Sequence, residues 1–184
     1  VLEDLYLPYK PKKKTRATVA RDKGLEPLAQ ILMKQQEKDL QQAASRFLSG
    51  EVETVEDALR GARDIVAEWV NENQRARKTV RHHFDREAVI RSKLVKGKEE
   101  EGSKFMDYFD FSEPLKKCPG HRILAMRRGE AEGFLRLTVE PDPEKVIRDL
   151  EAQFVRGEGD AGRQVAEAVR DAYKRLMQPS IENE

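Results

Sequence analysis

Cysteine is nearly absent. The single thiol, Cys118, rules out an internal disulfide framework and fits a reducing cytoplasm. No apolar run approaches the roughly eighteen residues that a bilayer-crossing helix needs, and the N-terminus lacks the hydrophobic segment of a signal peptide, so the chain reads as soluble, untargeted and cytoplasmic, with no membrane partner. Aromatic residues make up only 7% of the sequence, with one tryptophan. Net charge is nearly absent too: 35 basic against 34 acidic residues leave +1, so an anionic partner must be drawn by local patches. Internal repeats and low-complexity tracts are missing. So are catalytic constellations, because no Ser, Cys or Thr stands at a recognisable spacing from a base, and no enzymatic activity is expected.

Two short motifs fall short of a cofactor or metal site. GEGDAG, Gly157 to Gly162, lacks both the Lys-Ser/Thr of a phosphate-binding loop and the strand that precedes a dinucleotide site; it reads as a linker. Cys118 and His121 have C-x-x-H spacing, with His82 and His83 as conceivable partners, but a closed zinc site usually wants more thiolates. No cofactor and no metal is expected.

What the 184 residues do contain is helical periodicity, 38% hydrophobic and 38% charged, enough for a sizeable core under much solvated surface. Thr54 to Val70 organises the rest. Val55, Ala58, Leu59, Ala62, Ile65, Val66, Trp69 and Val70 recur at helical steps, Thr54 can cap, and Glu56 and Asp57 suit the first turn. Gly61 with Ala58 and Ala62 makes a small-residue strip where another helix can cross closely, and Trp69 is expected to be largely buried. Further helices are expected from Arg16 to Lys23 after Thr15, from Leu25 with Pro27 in its first turn, from Leu40 to Leu48 after Asp39, and from Gln74 to His83 after Asn73. Others follow: an aromatic helix with Phe105, Met106, Tyr108 and Phe109, ended by Pro114; one from Pro119 to Arg128; one from Asp142 carrying Val146, Ile147, Leu150 and Phe154; and a last one ending before Pro179. Only AVIRSKLV, Ala88 to Val95, and FLRLTV, Phe134 to Val139, read as extended, and each is the other's natural partner. The expected fold is mainly α, multi-helical with a small β-element.

Basic residues are concentrated in three runs, Lys10 to Arg16, Arg75 to Lys98 and Lys116 to Arg128. Residues 1–14 form a basic extended arm with Lys12, Lys13 and Lys14; 15–178 read as a helical domain; 179–184 start a following helix, as if a longer protein had been cut there. Tyr173, Leu176 and Ile181 are then expected to stand exposed or to be covered by a neighbouring molecule. Arg75, Arg77, Lys78 and Arg81, carried on a helix held by Ala76, Val80 and Phe84, together with Lys12, Lys13 and Lys14 of the arm, could neutralise phosphates without reading sequence, whereas the plainer reading is a solvated face or a protein contact.

Five separated stretches, in order, resemble one family: LEDLYLPYKPKKKTRATVARDKGLEPLA at Leu2 to Ala29, ALRGARDIVAEW at Ala58 to Trp69, DYFDFSEP at Asp107 to Pro114, GHRILAMRRGEAEGFL at Gly120 to Leu135 and DAYKRLMQPSIENE at Asp171 to Glu184. They are similar to the N-terminal region of Tex, a family of bacterial RNA-binding transcription accessory proteins. The resemblance implies a largely helical part with helix-turn-helix elements, placed here at Thr54 to Val95 or Thr15 to Gln36. It also implies later RNase H-like, helix-hairpin-helix and OB-fold domains that this sequence does not include. The function it implies is a non-enzymatic scaffold and nucleic-acid-binding module, with RNA or DNA, the transcription machinery and the missing domains of the same chain as partners. The alternative is an interaction and spacing module that touches no nucleic acid.

Overall fold

Residues 14–183 are described in a computed structural model of the chain, so Lys12, Lys13 and the rest of the basic arm before Lys14 lie outside the described residues. The fold is mainly α with a small antiparallel sheet. The described chain forms two compact units, one of residues 14–69 with Val155–Ala168, the other of Val70–Phe154 with residues 169–183.

In the first unit, helix starts follow from side-chain caps that occupy otherwise unpaired N–H groups. Thr15 Oγ1 accepts the Thr18 N–H at 3.1 Å to open α1 (Arg16–Asp22), and Gly24, at φ +78°, turns the chain into α2 (Glu26–Lys34). Asp39 Oδ1 accepts from Gln42 at 3.1 Å at the start of α3 (Leu40–Ser45). That helix ends three residues before Leu48, because Arg46, Phe47 and Leu48 bond back only to the third preceding carbonyl, and Leu48 emerges exposed. Thr54 Oγ1 accepts from Asp57 at 3.0 Å and opens α4 (Val55–Glu72). Its stripe is as expected except that Val55 and Trp69 are half-buried; a ring as large as the indole is rarely covered completely. At Gly61 a Cβ would collide with Leu25 Cδ1 and stand 3.4 Å from Ala20 Cβ, so the crossing expected at the small-residue strip is made by the α1–α2 corner.

The second unit is built on a three-stranded antiparallel sheet. α5 (Gln74–Glu87) opens with Asn73 Oδ1 accepting from Ala76 at 2.9 Å and runs a turn beyond His83, the Glu87 carboxylate meeting His83 Nδ1 at 3.1 Å. β1 (Val89–Leu94) pairs antiparallel with β3 (Leu135–Glu140), as expected, Ile90 opposite Val139. On its other side it pairs with β2 (Asp110–Pro114), a strand the sequence did not announce; the aromatic helix is only a 3-10 turn, Ser103–Tyr108, and Pro114 ends a strand instead. Ile90, Leu135 and Leu137 line the inner face with Phe105, Cys118 and Met126, while buried Ser92 donates to the Tyr108 carbonyl at 2.6 Å. Met106, expected in that core, is 67% exposed.

α6 (Gly120–Ala131) follows Pro119, which is its cap rather than its first residue, and α7 (Pro143–Phe154) buries Val146, Ile147 and Leu150. α8 (Asp160–Asp171) leads into a π-helical turn, Ala172–Met177, and α9 (Gln178–Glu182). Pro179 therefore does not end the helix: it sits in the first turn of α9, where its missing N–H costs little. Tyr173 and Ile181, expected exposed or covered by a neighbouring molecule, are buried in the chain itself, and Leu176 is half-buried. Glu182 Oε1 accepts the Val139 N–H at 2.9 Å.

Candidate nucleic-acid interface

α5 is pinned by Ala76, Val80 and His83, all buried. His83 Nε2 meets Asp149 Oδ2 at 2.7 Å, and Gln153 Nε2 donates to Thr79 Oγ1 at 2.7 Å. Four residues back along α5 match four residues on along α7, so the two helices run antiparallel and the rotation of α5 is fixed. The outward stripe then falls on Arg75, Lys78, His82 and Arg86, all exposed and spaced by three, four and four residues. At 1.5 Å per residue it covers about 16 Å, several phosphates of a nucleic-acid backbone. Arg75, Lys78 and Arg86 have no hydrogen-bonding or ion-pairing side chain among the described residues, whereas elsewhere cations are neutralised in place: Arg170 Nη2 lies 2.8 Å from Glu144 and Arg175 Nη2 2.8 Å from Asp171. By the same register Lys145 of α7, also exposed, comes level with Glu87, one residue beyond Arg86.

The four α5 residues singled out from sequence divide. Arg75 and Lys78 belong to the stripe. Arg77 is half-buried, its Nη1 donating to the Asn71 carbonyl at 3.2 Å and to Asn71 Oδ1 at 2.9 Å, and its Nη2 to Ser180 Oγ at 3.4 Å. It closes the end of α4. Arg81 is exposed but turns to the other flank, lining a concavity with Phe84, Asp85 and Ile181. Lys14, exposed, lies 3.4 Å from Asp22 in the first unit. Arg86 was missed because Asp85, Arg86 and Glu87 carry no apolar mark; its spacing of eleven residues from Arg75, three helical turns, was the available signal.

Among the described residues no three His, Cys, Asp or Glu side chains converge as metal ligands; Cys118 is buried while His121 is exposed, and burial together with neighbouring Glu113 pushes the Cys118 thiol up. In the glycine loop a side chain at Gly162 would stand 2.6 Å from the Gly157 carbonyl, and the Arg156 N–H is already taken by Gln35 Oε1 at 2.8 Å.

Against known families, residues 35–184 match the model described as Tex central region-like. The chain belongs to the Tex family. The matched region is named central, whereas the resemblance read from sequence alone pointed to the N-terminal part. Among curated relatives, the transcriptional accessory protein Tex of Neisseria gonorrhoeae is 44% identical over 143 residues, covering 78% of this chain and 19% of that protein. Protein tex of Bordetella pertussis is 45% identical over 154 residues, 83% of this chain and 19% of its own length. The uncharacterized protein YdcI of Bacillus subtilis is 40% identical over 188 residues, 100% of this chain and 26% of its own. This Tex-family chain thus spans about a quarter or less of the relatives it matches.

Proposed function

We propose that this chain is a nucleic-acid-binding scaffold module of a Tex-type transcription accessory protein, working in the cytoplasm and performing no chemistry of its own. The observation that supports it is the outward stripe of α5: three cations without carboxylate partners, on a helix whose roll is fixed by His83 and Thr79. Such a stripe neutralises phosphates and releases counterions without reading bases, so RNA and duplex DNA are bound alike. No Phe, Tyr or Trp shares the stripe, so base stacking contributes little. We read the helix-turn-helix as Thr15 to Gln36, since α1 and α2 are joined by the three residues Lys23, Gly24 and Leu25, whereas α4 and α5 are separated only by Asn73. The remaining partners are the transcription machinery and further domains of the same polypeptide.

Titrating labelled RNA and duplex DNA with the 184-residue chain across a salt series tests this. Non-specific dissociation constants of about 1 to 100 μM at physiological salt are expected, tightening as salt falls. Replacing Arg75, Lys78 and Arg86 together with Ala should weaken binding to every sequence and flatten the salt slope by about 0.9 for each duplex-DNA phosphate no longer neutralised. Absence of binding at low salt, or a triple variant indistinguishable from the parent, refutes the reading.

A further inference from the structure

The basic run from Lys116 to Arg128 plays no part in the α5 surface, and the packing shows what holds it out. Met126 of α6 is fully buried, and at Gly129 a Cβ would stand 2.8 Å from Leu135 Cγ and 3.2 Å from Phe105 Cδ1. Such close contact fixes the roll of α6 as firmly as His83 fixes that of α5. On the opposite face stand His121, Leu124 and Arg128, three and four residues apart and all exposed. Leu124, at 71%, is the most exposed of the large apolar side chains among the described residues. Lys116 and Lys117, exposed in the 3-10 turn Leu115–Lys117, lead directly into this helix.

The carboxylates that could neutralise this face are already engaged. Glu130 pairs with Arg127 at 3.2 Å, Glu132 with Lys104 at 3.1 Å and Glu113 with Arg122 at 3.1 Å. Lys116, Lys117, His121 and Arg128 make no hydrogen bond or ion pair through their side chains among the described residues. An apolar side chain that shares an exposed helix face with unpaired Arg128, on a helix that cannot roll it inward and that is entered through two unpaired lysines, is matched by the reverse pattern.

We propose that this face of α6 docks an acidic protein segment that seats an apolar side chain on Leu124 while its carboxylates meet Lys116, Lys117 and Arg128. A phosphate backbone would satisfy the cations but leave Leu124 in water, and the exposed face of α6 carries no Phe, Tyr or Trp on which a base could stack. An amphipathic protein segment uses both halves of the surface: the apolar contact holds the complex, and the charges steer encounter and fix register.

The test uses the 184-residue chain and two synthetic probes of equal charge: a helical peptide with leucines on one face and glutamates elsewhere, and its leucine-free counterpart. The leucine peptide should bind at least about tenfold more tightly. Leu124→Ser should erase that difference, while Lys116→Gln, Lys117→Gln and Arg128→Gln together should weaken both peptides and remove most of the salt dependence. All four positions are exposed, and circular dichroism checks that each variant folds. The α5 triple variant should bind the leucine peptide unchanged, which separates this surface from the nucleic-acid reading. Equal binding of the two peptides, indifference to Leu124→Ser, or cations that serve only RNA or DNA would overturn the proposal.

Discussion

Gly61→Ala sets two effects of opposite sign against each other. Alanine is favoured over glycine inside a helix by about 1 kcal/mol, so at an open site in α4 the substitution would stabilise. Position 61 is not open: the new methyl would overlap Leu25 Cδ1, and Leu25 is only 1% exposed with Ala20, at 2%, beside it. Overpacking a closed site costs about 1 to 3 kcal/mol, so the net expectation is a loss of up to about 2 kcal/mol. With a urea m-value of about 2 kcal/mol/M, that lowers the denaturation midpoint by as much as about 1 M at unchanged slope, followed by circular dichroism and by Trp69 fluorescence. Leu25→Ala alone should cost about 2 to 5 kcal/mol through the cavity it leaves. Combined with it, Gly61→Ala should turn from destabilising to neutral or favourable, because the added methyl then fills space that Leu25 has vacated. A rise in midpoint for Gly61→Ala alone, or strict additivity of the pair, would refute the close crossing.

Three further expectations follow from the second unit. His83→Ala should destabilise by about 2 kcal/mol, since the contacts of its ring nitrogens with the Asp149 and Glu87 carboxylates are removed but both partners retain access to water, whereas His82→Ala one position away should stay within about 0.5 kcal/mol; chemical denaturation distinguishes them. Burial, and then the nearby Glu182 charge, hold the Glu140 carboxyl above its ordinary value of 4.5. The folded state therefore binds that proton more tightly than the unfolded one, and Glu140's contribution to stability is present below that ordinary value and lost as pH rises through the raised one. Glu140→Gln should accordingly raise the melting temperature at pH 7, and the gain should vanish below about pH 4.5. Cys118, buried and with its thiol pushed up, should react far more slowly with a thiol reagent at pH 8 than the same residue in the denatured chain.

Helices were legible wherever a polar cap preceded an apolar stripe. Thr15, Asp39, Thr54 and Asn73 all accept the N–H groups that their positions promised. β1 and β3 declared themselves through consecutive β-branched and apolar residues. β2 did not, because five residues at a sheet edge, DFSEP, leave room for only one apolar side chain facing the core, too little for a period of two to show. The extra turn of α5 was hidden for a related reason: its hold on the fold is the polar bond from His83 to Asp149, made by residues far apart in sequence. Without that turn, Arg86 dropped out of the basic stripe. Arg77 was misleading in the opposite direction, since a cation on a helix reads as exposed until the carbonyl of Asn71 and the hydroxyl of Ser180 are brought to it.

The bond from the Val139 N–H to Glu182 does more than tie α9 down. β3 borders the sheet, so its outward N–H groups are the kind of unpaired row on which another strand can grow. One carboxylate near the end of a short helix occupies such a site, in place of the proline, bulge or lysine that often guards an edge. Removing the residues after Met177 would leave every strand of the sheet intact and yet unguard its border, turning a well-folded unit into one that self-associates through β3 as its concentration rises.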